Sequence, residues 1–177
     1  MGKIFLGYLF VFFHIKLNGF DILADCVGYF FIWQGLCAYE VPRFVQARAW
    51  ALALFVINIF GIFGGVSRLF SAPFLSTAAS LIATGLSLYL LWLIAHGVGE
   101  LAAQHELPLP AQELACVWKV QLGASVAAAI FSHLASEGLG AGVWLALLAG
   151  LVGFAANMLY LIHLYKSKKL LGTAQMQ

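Results

Sequence analysis

The sequence has very little charge. Only 9% of its 177 residues are Asp, Glu, Lys or Arg, whereas 63% are hydrophobic and the mean hydropathy is +0.97. Because soluble domains are about a quarter charged, this composition excludes a chain that folds in water. The net charge of +2 is also too small, and the basic residues too dispersed, for a nucleic-acid partner. We therefore expect an all-α, polytopic integral membrane protein with the lipid bilayer as its first partner.

The sequence also lacks the common motifs of enzymes and metal sites. Its three cysteines form no C-x-x-C pair, which argues against a zinc site and against a disulfide framework. It contains no G-x-S-x-G, no H-E-x-x-H and no phosphate-binding or dinucleotide-binding motif. We predict no metal and no cofactor, assign no catalytic residues, and expect a binding or transport role before an enzymatic one.

What the sequence does have is long apolar runs. A helix that crosses the hydrocarbon needs roughly 20 mostly apolar residues. We predict a single transmembrane domain with a cytoplasmic loop at 98–112 and six spans at about 4–18, 22–41, 49–68, 74–97, 113–134 and 139–165. The first run is short and ends at the turn signal Asn18-Gly19. The first two segments therefore either cross fully or form a short re-entrant hairpin.

The distribution of basic residues predicts the orientation of the bundle. If both termini are cytoplasmic, the outer side carries Lys16 and Arg68. The inner side then carries Lys3, Arg43, Arg48, Lys166, Lys168 and Lys169. Cytoplasmic loops of membrane proteins are enriched in Lys and Arg. We accordingly expect a bacterial cytoplasmic membrane protein with both termini in the cytoplasm.

Several of the predicted spans carry a stripe of small or polar residues at helical spacing. Such stripes indicate helix faces that meet other helices, since apolar side chains gain nothing by leaving lipid. One interpretation is tight packing alone. The other is a polar cavity near the middle of the membrane, lined by Gln34, Asn58, Ser87, Gln121 and Asn157.

Ionisable residues inside a bilayer are costly, so each one requires a reason. Asp21 and Asp25 lie four residues apart at the start of the second segment, where a carboxylate can cap the helix. The alternative is a ligand site at the outer face, formed by Asp25 with His14 and Arg68. Lys119, inside the fifth segment, extends to the headgroups, pairs with Glu40 or Glu113, or binds substrate.

The histidines suggest a second kind of site. His96 and His163 are predicted near the inner face, and His14 and His133 near the outer face. Two such pairs are what a di-haem cytochrome would need, because neutral imidazoles are common axial ligands. Haem binding is therefore an alternative to the absence of a cofactor.

One stretch resembles a known signature. The segment 21–29, with Asp21, Asp25, Gly28 and Tyr29, resembles the D-[IL]-L-P-D-x-x-G-Y motif of small multi-pass membrane proteins of Firmicutes, with Ala24 in place of the proline. That family has no settled activity. The resemblance implies that Asp25, Gly28 and Tyr29 form a distinctive site, and Gly28 would let a helix or a ligand approach closely.

These observations leave three functional hypotheses. The leading one is a small-solute binding or transport component working with a small-molecule substrate and partner membrane subunits. In length and hydropathy the chain resembles the substrate-binding subunits of energy-coupling-factor transporters, which is an analogy of size and not of motif. The alternatives are a redox or lipid-modifying membrane enzyme and a non-catalytic scaffold for other membrane proteins.

Overall fold

The computed structural model describes residues 1–12, 22–62, 73–138 and 140–174. Within these ranges the chain forms helices and turns and no strand, which confirms the all-α prediction. The helices are α1 (Gly2–Phe12), α2 (Ile22–Leu36), α3 (Pro42–Ile62), α4 (Pro73–His105), α5 (Ala111–Ser136) and α6 (Gly140–Ala174).

Three helices in the described ranges are long and apolar enough to cross a membrane. The qualifying stretches are Leu81–His105 of α4, Ala111–Ser136 of α5 and Gly140–Thr173 of α6. The described parts of α1 and α2 have 11 and 15 residues, fewer than the roughly 20 that a crossing needs. Helix α3 carries two arginines in its first two turns. The expectation of six spans is therefore met for three helices.

Three helices extend beyond their predicted spans. Helix α3 begins at Pro42 instead of position 49, α4 continues to His105, and α6 reaches Ala174. The predicted loop at 98–112 shrinks to 106–110. Hydropathy marks where the hydrocarbon ends, whereas a helix backbone satisfies its own hydrogen bonds and can continue into the headgroup region.

The six helices close into a ring. Each packs against its neighbours in sequence, and α1 also packs against α6. The start of α1 and the end of α6 lie together, because the Lys168 ammonium is 5.7 Å from the centre of the Phe5 ring. The Met1 ammonium donates a hydrogen bond to the Tyr39 hydroxyl, which places the α2–α3 turn at the same end. We call this the terminal end of the bundle.

Glycines bring α1 and α2 into close contact. A Cβ atom on Gly28 would lie 2.7 Å from the Gly7 carbonyl oxygen and 2.5 Å from a methyl carbon of Val11. A Cβ atom on Gly35 would lie 2.6 Å from a side-chain carbon of Ile4. Small residues allow such approach of two backbones within a membrane. Gly28 therefore admits a neighbouring helix, which was one of the two roles expected for it.

Two arginines join the helices at the terminal end. Arg48 donates from Nη2 to the Tyr39 carbonyl at 2.7 Å and from Nε to the Leu36 carbonyl at 3.2 Å, so it caps the end of α2. The backbone N–H and the Nε of Arg43 both donate to the Glu100 carboxylate, each at 3.2 Å. Glu100 on α4 therefore caps the first turn of α3 and pairs with its arginine.

Apolar side chains cover the outer faces of α5 and α6. Trp144, Leu151 and Ile130 are 71%, 65% and 54% exposed. In water such a surface would mark an interface, but within a bilayer it is the face that meets acyl chains. The side chains of Gln121 on α5 and Asn157 on α6 are less exposed than these apolar residues.

We predict that Gly28→Ala destabilises the protein by about 1–3 kcal/mol, the usual cost of overpacking a tight contact. The added methyl group overlaps backbone atoms of α1, which can yield only if the two helices separate. Unfolding in mixed micelles measures this change. Gly123→Ala on α5 is the control, since a Cβ atom there meets nothing within 4 Å. Equal stabilities of the two variants would contradict the close crossing.

Candidate functional site

The ring encloses a cavity of about 460 Å³. This volume lies within the range of small-molecule binding sites. All the helices except α3 contribute to its wall, and no charged side chain is among its described lining residues. The polar residues that line it are Tyr8, Tyr29, Thr84, Ser87, Gln121, Ser125 and Asn157.

Small residues on α5 and α6 leave room for the cavity. Gly150 and Gly153 of α6 line it opposite Ala124 of α5. A Cβ atom on Gly153 would lie 3.6 Å from the Ala124 methyl carbon, whereas one on Gly150 would meet nothing within 4 Å. The predicted small-residue stripes on these helices therefore both pack together and border open space.

Tyr8 lines the cavity, and it packs against Tyr160, which lies behind the wall. The Tyr8 hydroxyl of α1 donates a hydrogen bond to Oδ1 of Asn157 on α6. Asn157 in turn donates from Nδ2 to the Gly153 carbonyl at 3.0 Å. The Tyr160 hydroxyl donates to the Leu91 carbonyl of α4 at 2.8 Å, and the Tyr8 and Tyr160 rings are 5.2 Å apart. These bonds tie α1, α4 and α6 together.

A further set of hydrogen bonds lies along α4. Ser87 donates to the Thr84 carbonyl at 2.8 Å, and a side-chain hydrogen bond links Tyr29 of α2 to Ser87. Trp118 of α5 donates from Nε1 to the Leu88 carbonyl at 2.7 Å. A helix carbonyl has a second lone pair for such a donor. Side chains of α2 and α5 are therefore hydrogen-bonded to α4.

The side-chain amide of Gln121 on α5 lines the cavity. Its Oε1 atom is buried and has no hydrogen-bond partner among the described residues. A buried acceptor without a donor costs roughly 1–3 kcal/mol. The cavity beside Gln121 is large enough for a molecule that supplies the missing donor.

The structure does not bring all five predicted polar residues to this cavity. Ser87, Gln121 and Asn157 line it, but Gln34 and Asn58 do not. Asn58 donates to the carbonyl of Leu54 one turn earlier at 2.8 Å, and Gln34 accepts a hydrogen bond from Lys3 at 3.2 Å. Neither residue lines this cavity, and each amide has one hydrogen-bond partner elsewhere. A ligand-binding role for Gln34 and Asn58 stays a prediction.

The two charged candidates among the described residues, Asp25 and Lys119, do not line the cavity. Asp25 is half-buried in the first turn of α2, one turn before Tyr29. Lys119 is exposed on α5. His14, Asp21 and Arg68 lie outside the described residues. The expected grouping of Asp25 with His14 and Arg68 therefore stays a prediction.

The described histidines are spread over the bundle. His96 shares a 2.9 Å hydrogen bond with the Trp92 carbonyl, and its ring is 4.3 Å from the Trp92 ring. His133 is exposed near the end of α5, and His163 borders a second cavity. In the described part of the chain, no three His, Cys, Asp or Glu side chains converge as metal ligands. The haem alternative stays a prediction.

Sequence reasoning missed Tyr8. It lies within a short apolar run and is the residue through which α1 bonds to α6. A signal was present, because a tyrosine in the middle of an apolar helix must find a hydrogen-bond partner for its hydroxyl. The sequence alone does not say which helix supplies that partner.

Comparison with known proteins finds no family model, no curated protein and no solved structure that matches this chain. The function therefore has to be inferred from the cavity, from its polar groups and from their hydrogen-bond partners. Two features of the cavity indicate its ligand: no described lining residue is charged, and the buried Oε1 of Gln121 has no hydrogen-bond partner among the described residues.

We predict that Tyr160→Phe lowers the free energy of unfolding by about 0.6 kcal/mol, the average measured for hydrogen bonds between membrane helices. The loss should not exceed about 1.7 kcal/mol, the largest such value. The variant keeps the ring and removes only the bond to the Leu91 carbonyl. Unfolding in mixed micelles measures the loss. Tyr165→Phe is the matched control, because Tyr165 is 51% exposed on the same helix. If both changes prove silent, the bond contributes nothing.

Proposed function

We propose that this protein is a small-solute binding or transport component of a membrane, and that the cavity inside the ring holds an uncharged solute. The observation that carries the proposal is the buried Gln121 Oε1, an acceptor without a donor at the wall of a 460 Å³ cavity. Transferring a charged solute into this cavity would require an opposite charge. The described lining residues supply none.

The lining also suggests the chemistry of the solute. Gln121 requires a hydrogen-bond donor, and the nearby hydroxyl of Ser125 can donate or accept. The rings of Tyr29, Phe12 and Phe154 supply apolar surface, with the two phenylalanine rings 5.2 Å apart. Aromatic walls favour flat, apolar molecular bodies. We infer a neutral, partly aromatic or cyclic molecule that carries at least one N–H or O–H group.

We further propose that all six helices cross the membrane, with both termini in the cytoplasm of a bacterial cell. Two observations support this topology: the ring order of the helices, and the terminal end that Met1, the α2–α3 turn and the end of α6 share. The positive-inside rule gives this end to the cytoplasm. The basic residues on that side are Lys3, Arg43, Arg48, Lys166, Lys168 and Lys169. Labelling of a cysteine placed at Thr173 from outside intact cells would contradict the orientation.

We also propose that segment 21–29, which resembles a signature of Firmicutes membrane proteins, contributes to the solute site. Its Gly28 lies at the α1–α2 crossing and its Tyr29 lines the cavity. Asp25 lies one turn before Tyr29 on α2, so the outer-face ligand site expected of it would adjoin this cavity. As a transport component the protein would work with partner membrane subunits.

We predict that a small molecule co-purifies with the protein and is lost from the Gln121→Leu variant. The leucine removes the acceptor and adds a branched apolar side chain, so bound solute should fall about tenfold, the effect of losing one hydrogen bond to a buried group. Extraction of the purified protein followed by mass spectrometry measures the solute.

Gln104→Leu is the matched control, because Gln104 is exposed in the last turns of α4 and away from the cavity. It should retain the solute at the wild-type level. If the wild-type protein and both variants carry the same small molecules in equal amounts, the cavity is not the binding site. A uniform loss of folding, seen by circular dichroism, would instead identify damage to the bundle.

A further inference from the structure

A second cavity, of about 570 Å³, lies at the terminal end of the bundle. It is bordered by the 108–110 segment between α4 and α5, by Glu113 at the start of α5, and by His163 and Lys166 near the end of α6. It shares no lining residue with the cavity inside the ring.

Helix length places this second cavity at the level of the lipid headgroups. Helix α6 has 35 residues, which at about 1.5 Å per residue span about 52 Å, well beyond a hydrocarbon core of about 30 Å. If the core begins near Gly140, it ends near Tyr160, so His163 and Lys166 follow it. The first turn of α5 lies beside them at the same level.

The cavity presents both signs of charge from different helices. Lys166 supplies an ammonium group from α6, and Glu113 supplies a carboxylate from α5. The Nδ1 atom of His163 is buried and has no hydrogen-bond partner among the described residues. Pro110, at the N-cap of α5, gives that helix no side-chain cap. The site therefore offers donors to an anion and an acceptor to a cation.

We propose that this second cavity binds a zwitterion in which a phosphate group is linked to a primary ammonium group, as in the ethanolamine phosphate headgroup. Lys166 and the Nδ1–H of His163 donate to the phosphate oxygens, and Glu113 accepts from the ammonium. A primary ammonium has three N–H donors, whereas a quaternary one has none to offer Glu113. A purely anionic headgroup would meet the Glu113 carboxylate with a like charge.

The probes are phosphatidylethanolamine, phosphatidylcholine and phosphatidylglycerol with identical acyl chains, each titrated onto the delipidated full-length protein in a nonionic detergent. Native mass spectrometry counts the retained lipid. We expect phosphatidylethanolamine to bind about tenfold more tightly than phosphatidylcholine, a factor typical of a charge-assisted hydrogen bond. Soluble phosphoethanolamine is titrated in parallel, and binding of it alone would identify a free zwitterion as the ligand.

The variants separate the two charges. Glu113→Gln should remove the preference for phosphatidylethanolamine over phosphatidylcholine, and Lys166→Gln should weaken binding of both. Lys169→Gln is the control, since Lys169 is exposed on the same helix and does not border the cavity. Equal binding of all three lipids, or an equal loss in the Lys169 variant, would overturn the proposal. Circular dichroism establishes that each variant is folded.

Discussion

The architecture depends on the closure of the ring between its first and last helices. Helices in a bilayer gain little from burying apolar surface, because lipid is as apolar as their side chains. Closure instead uses a hydrogen bond from Tyr8 to Asn157 and the packing of the Tyr8 ring against Tyr160. Both partners would otherwise place polar groups in hydrocarbon, at a cost of several kcal/mol each. The cavity exists because these two helices meet.

The cavity persists because its walls are held at several points while its interior side chains are small. Tyr160 and Trp118 both donate to carbonyl groups of α4, which fixes α5 and α6 relative to that helix. Gly150 and Gly153 then leave space that larger residues would fill. Glu113 and Lys166 border the second cavity at the terminal end, so one fold provides an inner cavity without charged lining and a second cavity with both signs of charge, among the described residues.

The sequence predicts the helical class and the inward faces of α5 and α6. A polar side chain in an apolar helix is costly to expose to lipid and therefore tends to face other helices. Gln121 and Asn157 follow that rule. Asn58 does not, although Asn58 and Asn157 both donate to the carbonyl one turn earlier on their own helices. The difference is that no described residue of α3 lines the cavity, whereas Asn157 also accepts a hydrogen bond from Tyr8 across it. The order of the helices around the ring and the partner of Tyr8 depend on contacts between distant segments. Hydropathy also does not predict helix ends such as that of α4, because it indicates which residues lie in hydrocarbon and not where the helical backbone stops.

Cross-linking of α1 to α6 tests the closed ring most directly. Cysteines replace Phe5 and Tyr165, whose rings lie 5.6 Å apart, in a protein whose three native cysteines are removed. A short bifunctional thiol reagent added to native membranes should join this pair within one chain. The pair of Phe5 with Leu145, at the opposite end of α6, should stay unlinked. Failure of the first pair to link, or equal linking of both pairs, would contradict the closed ring and the cavity that it encloses.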